Sequence, residues 1–500
     1  MSQSEGADRD ARLPLAGTPP RLVVIGGGIT GLAAAHRALE RAREAGAAVE
    51  VTVLEERSRA GGVIATEEAQ GFLLEGGPDS LITEKPWAID LCRRIGLGDE
   101  LIATRSAFQR SLVVKGGRLL PVPLGFSLLA PTRLWPFARS PLLSPLGKLA
   151  VLRDLVAPRG GPPPGGDESL ASFVVRRLGR EVLDRIAQPV VAGIYAADPA
   201  VLSLAATMPR FLELERSARS LILGLRRQGS PATRGASGAR YGLFVTLRRG
   251  MGSLVAELER RLPPGAVRCG VRAVGLARGD GVGAGGWRVA LDGGESLRAE
   301  SVVVAVPAWN AADLVRPVDA ELAAQLGAIP YASAATVALG FRREDVPHPL
   351  DAFGFVVPAV ERRRILACTF ASVKYDGRAA PGAVLLRAFV GGALQPECFA
   401  LDDRAMAAAV REELAALLGV RAEPLFTRIA RWPASMPQYA VGHLDRVAAI
   451  ERCVTRLEGL ALAGNAYRGV GVGDCVRSGE AAADALIDSW RQTMARFAAA

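Results

Sequence analysis

The sequence predicts an α/β fold in three parts: a discontinuous Rossmann-like nucleotide domain, a substrate domain with a mostly antiparallel sheet, and an inserted helical domain. Three observations predict it. A strand, a glycine-rich turn and an alanine-rich helix follow one another at residues 22–45. Apolar residues keep three- and four-residue spacing through residues 81–225. Short β-rich runs then recur over residues 335–390, before the chain returns to a strand, a glycine loop and a helix.

The first twenty residues, rich in Asp, Arg, Gly and Pro, lack the apolar core of a secretory signal and read as a mobile tail. Leu22-Val23-Val24-Ile25 then forms a strand ending at Gly26-Gly27-Gly28-Ile29-Thr30-Gly31, a G-x-G-x-x-G turn, and residues 32–45 follow as helix. Gly26 permits the tight turn, Gly28 lets the backbone approach a pyrophosphate, and Gly31 lets helix and strand pack closely. Ile29 and Thr30 stand at the helix N-terminus, whose free N–H groups and positive dipole end suit that anion. A second β-run, residues 49–54, closes with Glu55 and Glu56, and the Glu55 carboxylate is placed to accept both ribose hydroxyls and repel a 2′-phosphate. In Arg59-Ala60-Gly61-Gly62, Arg59 is expected to neutralise pyrophosphate while Gly61 and Gly62 pass beneath a flavin.

Gly/Pro-rich stretches at residues 158–166 and 228–239 read as flexible connections. From Tyr241 a helix is expected to lead to β-runs at residues 267–276, 287–291 and 301–307. Strands at 335–341, 353–357, 364–370 and 383–390 have the spacing of an antiparallel sheet, and a helix at 402–418 follows. A strand at 460–463, a glycine-rich loop and a helix at 479–490 end the pattern. The nucleotide domain is therefore assembled from residues 21–80, 240–310 and 444–490, with a helical domain at 81–225, a linker at 226–239 and a substrate domain at 311–443.

Five hundred residues at 49% hydrophobic content suit a globular protein of two or three domains. The six cysteines contain no C-x-x-C pair, which argues for a reducing, cytoplasmic compartment and against a zinc site. Three histidines without an H-E-x-x-H pattern make a catalytic metal unexpected. The net charge of +10 lies almost wholly on arginine, with four lysines among the 61 basic residues and no basic run interleaved with aromatics, so nucleic acid is not an expected partner. An anionic lipid surface or acidic substrate fits the charge at least as well. Residues 119–158 are apolar but broken by Pro121, Pro123, Pro131, Pro136, Pro141 and Pro145 and punctuated by basic residues, too interrupted to span a bilayer. They read equally as an interfacial patch at the inner face of the cell membrane or as a lid over a substrate channel.

The C-terminal loop runs Ala463-Gly464-Asn465-Ala466-Tyr467-Arg468-Gly469-Val470-Gly471-Val472-Gly473-Asp474-Cys475. With Gly76-Gly77-Pro78-Asp79-Ser80, Gly193-Ile194-Tyr195-Ala196-Ala197-Asp198-Pro199 and Pro437-Gln438-Tyr439-Ala440-Val441-Gly442-His443, it resembles the oxygen-dependent porphyrinogen oxidases of haem synthesis, flavoproteins of the amine-oxidase superfamily. The resemblance implies non-covalent FAD held at Gly26, Gly28, Gly31, Glu55, Arg59, Gly61, Gly62, Gly76 and Gly77, with Val271 near the adenine and Gly464, Val470 and Val472 near the ribityl chain and ring. For the substrate, a tetrapyrrole, it implies Arg110 against a propionate, Gly193 close to a pyrrole ring, and Val356 and Tyr375 around the macrocycle; Tyr375 stands where phenylalanine is expected. Cys475, in this alignment, is a packing residue rather than a flavin tether, and His443 a loop histidine satisfied by backbone.

The implied reaction takes a porphyrinogen to a porphyrin by three hydride transfers to flavin, which dioxygen reoxidises with release of hydrogen peroxide. Catalysis beyond the flavin needs no dedicated acid–base pair. The long helical insert favours protoporphyrinogen IX over coproporphyrinogen III without deciding between them. An amine oxidase, a carotenoid desaturase and a flavin-binding scaffold without activity are the competing readings, and a homodimer is left open.

Overall fold

The computed structural model describes residues 19–127, 130–157, 166–228, 244–279 and 286–499. The expected tail, most of both Gly/Pro-rich connections and the residues around Tyr241 lie outside them.

The strands Val267–Cys269, Glu50–Glu55, Arg21–Ile25, Ser301–Val304 and Leu460–Leu462 form, in that order, a parallel five-stranded sheet. Its central strands are apolar on both faces because both are covered: Val23 and Val302 pack one way, Val24 and Val303 the other. One cover is the helix pair Ile29–Glu44 and Val472–Ala499, which approach so closely that a Cβ at Gly479 would overlap the Thr30 carbonyl oxygen. The other includes the small antiparallel sheet Ala273–Arg278, Trp287–Leu291, Ser296–Ala299, with Trp287 buried beneath it.

A second large sheet has seven strands in the order Phe426–Pro437, Tyr331–Arg342, Ala383–Gly391, Ala367–Phe370, Gly354–Val356, Leu112–Lys115, Arg118–Pro121. It is antiparallel except where Gly354–Val356 runs parallel to Leu112–Lys115. The helix Asp403–Leu418, capped by the Asp402 carboxylate on Ala405 N–H, covers one face.

Four expectations need correction. Residues 112–121 are a hairpin of this sheet rather than part of a helical domain, and Leu112–Lys115 joins the sheet through Gly354–Val356, far along the chain. The helix expected from Tyr241 is preceded by a strand, Phe244–Leu247, and runs Gly252–Arg261. The run at 267–276 breaks at Gly270, whose φ of +73° ends one strand before Ala273 begins the next. Phe426–Pro437, a twelve-residue edge strand, was not anticipated.

The helical unit packs Phe173, Val174, Leu178, Ile186, Val191 and Phe211 into its own core. At its centre lies a buried ion pair, Arg177 with Asp154, whose second carboxylate oxygen accepts from Ser220 Oγ at 2.6 Å and Ile222 N at 3.0 Å. No helix among the described residues is long and apolar enough to cross a membrane.

Candidate functional site

The glycine turn is crowded behind and open in front. A Cβ at Gly31 would overlap the Gly26 carbonyl oxygen, and one at Gly26, where φ is +108°, would lie 2.7 Å from Ala305 O. Gly61 N donates to Gly27 O at 2.8 Å, so the second glycine pair docks on the first, and a Cβ at Gly62 would approach Gly28 Cα to 3.3 Å. A Cβ at Gly77 would overlap the Val63 carbonyl. At Gly28 and Gly464, in contrast, an added Cβ meets nothing within 4 Å. The helix that opens at Ile29 and Thr30 has no side-chain cap, which leaves its first N–H groups facing this opening. Such a slot, lined by bare backbone donors, fits a dinucleotide pyrophosphate.

Glu55 is buried at the end of its strand, its Oε2 accepting from Gly27 N at 2.8 Å and Oε1 from Arg57 N at 3.0 Å. Each oxygen keeps a lone pair for a ribose hydroxyl, and the backbone bonds fix the carboxylate's orientation. Val271 N donates to Glu55 O at 2.9 Å, which sets Val271 beside that ribose position, in a connection rather than the strand expected. Glu56 is exposed and faces Arg272. Arg59 does not stand free for a phosphate: its guanidinium donates to the carbonyls of Ala60 and Ile64 at 2.9 Å and Gly62 at 3.1 Å, stapling the second glycine pair in place. Gly76 is fastened through its carbonyl, which accepts from Thr336 Oγ1 and Trp432 Nε1, both at 2.8 Å.

The C-terminal loop follows the strand Leu460–Leu462, on the other side of Arg21–Ile25 from Glu55 in the sheet order. Gly464 N donates to Ser478 Oγ at 3.0 Å. Tyr439 Oη donates to Asn465 O at 2.6 Å and accepts from Gly469 N at 2.8 Å. His443, expected in a loop, instead begins the helix His443–Val454, where its Nε2 lies 2.9 Å from Tyr467 O. Asp474 is buried and accepts from Lys85 Nζ at 2.6 Å and Gly471 N at 3.2 Å. Burial pushes the Cys475 thiol up to about 11, so it stays protonated and unreactive near neutrality. Val472 packs on the nucleotide-domain core, whereas Val470 reaches the helical unit.

Val470, Val356, Ile194 and Tyr195 are each partly buried and each pack against the core of the helical unit. Gly193 sits one residue away, exposed, with nothing within 4 Å of where its Cβ would be. The helix carrying it, Gln188–Tyr195, continues from a π-turn at Leu183–Ala187, a local widening frequent at functional sites. Arg110 lies at the start of the strand paired with Gly354–Val356, Phe353 N donating to its carbonyl, but its guanidinium is engaged by the Asp351 carboxylate and by Asp351 O at 2.6 Å. Tyr375 departs from its expected place around a macrocycle: it is 1% exposed, with Lys374 and Arg378 over its ring.

Tyr375 belongs instead to a buried polar network that the sequence reading missed: Glu75, Asp79, Arg378 and Arg387 around a small cavity of about 10 Å³, room for one water. Arg387 donates to the Gly77 carbonyl and Lys374 to Asp79 at 3.1 Å, so the network holds the Gly76–Gly77 turn from behind. Lys374 and Arg387 outweigh the burial of the Asp79 carboxyl and hold it well below the usual range. Burial pushes Glu75 up to about 7, despite bonds from Thr66 Oγ1 and Met251 N, both at 2.7 Å. An arginine inside the apolar run Leu385-Leu386-Arg387-Ala388-Phe389 was the one sequence signal that could have found it.

The family described as flavin containing amine oxidoreductase matches residues 29–487. Coproporphyrinogen III oxidase of Bacillus subtilis (strain 168) is 35% identical over 470 residues, covering 93% of this chain and 97% of the relative. Protoporphyrinogen oxidase of Homo sapiens is 31% identical over 496 residues, covering 93% and 98%. A crystal structure from Exiguobacterium sp. 255-15, provisionally named a protoporphyrinogen oxidase, superposes with a TM-score of 0.82 at 31% identity, over 94% of this chain and 99% of that one.

Proposed function

The chain belongs to the flavin-containing amine oxidoreductases, and from that premise we propose that it oxidises a porphyrinogen to the porphyrin with non-covalent FAD as cofactor and dioxygen as final acceptor. The observation that carries this reading is the slot whose glycines are crowded behind and open in front, with Glu55 fixed at one end and Gly464 open at the other. FAD bound there supplies a two-electron acceptor, so loss of six electrons and six protons takes three cycles and returns three hydrogen peroxide from three dioxygen.

The chain's own residues orient the substrate. Val356, Ile194 and Val470, partly buried against the same core, are the apolar side chains assigned to the face of a tetrapyrrole, and Gly193 leaves room for a ring to approach. Arg110 binds a propionate by exchanging Asp351 for the substrate carboxylate, a swap of like for like that costs little and requires an acidic ligand. Against the lean toward protoporphyrinogen IX drawn from the helical insert, we take coproporphyrinogen III, with four propionates, as the first substrate, a reading supported by the 35% identity to the B. subtilis relative against 31% to the human one. Mixing the purified protein with either porphyrinogen under air should give porphyrin fluorescence, with the larger kcat/KM for coproporphyrinogen III. Oxidation of an amine without any porphyrin formation would overturn the reading.

A further inference from the structure

Residues 437–443 form a strap between the helical unit and the C-terminal glycine loop. On one side Ser203 N donates to Tyr439 O at 2.7 Å, Val441 N to Val201 O at 2.9 Å, and Gln438 Nε2 to Tyr195 O at 3.0 Å. On the other side two side chains reach three alternate backbone positions of the loop. Tyr439 Oη takes Asn465 O and Gly469 N, and His443 Nε2 takes Tyr467 O. A carbonyl only accepts, so His443 Nε2 must carry the hydrogen. Burial lowers the imidazole's affinity for a second proton and keeps it neutral. The Tyr439 and His443 rings stack at 4.0 Å between centroids and 11° between planes, 1% and 3% exposed.

A buried tyrosine hydroxyl and imidazole spent wholly on backbone groups of one loop do more than fill space. Packing alone would be served by phenylalanine and leucine, whereas these bonds fix where the backbone between Gly464 and Val470 runs. That backbone leaves the strand Leu460–Leu462 at the same end of the parallel sheet as the first glycine turn, two strands away. We propose that Tyr439 and His443 are positioning residues that set this loop for the flavin, acting through Asn465, Tyr467 and Gly469 rather than by touching the cofactor. The inference rests on the FAD reading given above.

The test uses the full chain, stripped of flavin and titrated with FAD, with Kd from flavin fluorescence, the visible absorption band of the complex, and the thermal midpoint of the apo-protein. Tyr439→Phe keeps the ring and its stack but loses both loop bonds. It should raise the Kd for FAD roughly tenfold and shift the bound flavin's absorption band, with the apo midpoint within a few degrees of the parent. His443→Ala should act in the same direction, and His443→Gln, which restores a donor near the Nε2 position, should recover part of the affinity. Parental Kd and spectrum in both Tyr439→Phe and His443→Ala would overturn the proposal. So would loss of affinity that follows a collapsed apo midpoint and is not recovered by His443→Gln, since that is a packing effect. A parent chain that takes up no FAD would instead bring down the proposed function, and this inference with it.

Discussion

At the scale of single residues, Glu55 and Arg110 are each defined by a partner they already hold. Glu55 accepts two backbone N–H groups and is committed to its orientation before any ribose arrives. Glu55→Ala removes the ribose acceptors and strands Gly27 N, so FAD affinity should fall at least about tenfold, read as flavin retained through gel filtration. Arg110 faces the opposite situation, because Asp351 competes for its guanidinium. Arg110→Ala should raise KM for the porphyrinogen about tenfold, the loss expected for a charge-assisted contact, with flavin content unchanged and Arg110→Lys rescuing in part. Asp351→Asn should move KM the other way by freeing the fork. A KM indifferent to all three substitutions would return Arg110 to the surface. The glycine slot was legible because its residues are local in sequence and each has a steric reason to lack a side chain. Arg59's grip on three neighbouring carbonyls was not, because a pyrophosphate and a loop carbonyl ask for the same guanidinium.

At the scale of elements, buried charge sets two expectations. Asp154 in the helical unit answers Arg177, Ser220 and Ile222 N–H at once, all away from water. Removing it takes the nearer of two carboxylates from the buried Arg177, leaving Glu215 at 3.4 Å, and strands Ser220 Oγ and Ile222 N, so Asp154→Ala should cost about 3–5 kcal/mol of unfolding free energy in urea. Glu75, beneath the Gly76–Gly77 turn, responds to pH. Its carboxyl is raised from 4.5 to about 7, so the folded chain favours the protonated form. The stabilisation is complete below about pH 4.5 and is lost as pH rises through about 7. Glu75→Gln, neutral throughout, should therefore gain thermal midpoint relative to the parent above pH 7, an advantage that shrinks towards pH 5. A difference independent of pH would mean Glu75 is not titrating there. These networks escaped the sequence reading because their bonds join residues such as Gly77 and Arg387, 310 positions apart. Strand Leu112–Lys115 escaped for the same reason, its pairing partner Gly354–Val356 giving no local signal. Phe426–Pro437 escaped because an edge strand carrying Arg428, Arg431 and Trp432 half-exposed shows no clean alternation.

At the scale of the whole molecule, one stretch, residues 134–156, stands apart. Trp135 is 67% exposed, Leu146 78%, Leu149 60% and Val156 74%, with Arg139 lying over Trp135 and Lys148 on the same stretch. Exposed apolar groups among cations suit a peripheral contact with anionic lipid. The protein should sediment with vesicles containing an anionic lipid, come off at high salt, and bind less after Trp135→Ser with Leu146→Ser. Indifference to both lipid charge and these substitutions would leave the face as a lid. The five-stranded parallel sheet has another consequence, for the order in which the molecule can be made. Arg21–Ile25 sits beside Ser301–Val304, and that strand beside Leu460–Leu462. On a ribosome adding about 5–20 residues per second, the first strand waits roughly 20–90 s for the last to emerge. Until then its sheet has an apolar edge with no neighbour, and the slot for the dinucleotide has only one wall. The sheet is complete only once Leu460–Leu462 has emerged, so nascent chains stalled short of Leu460 should be protease-sensitive whether or not FAD is supplied.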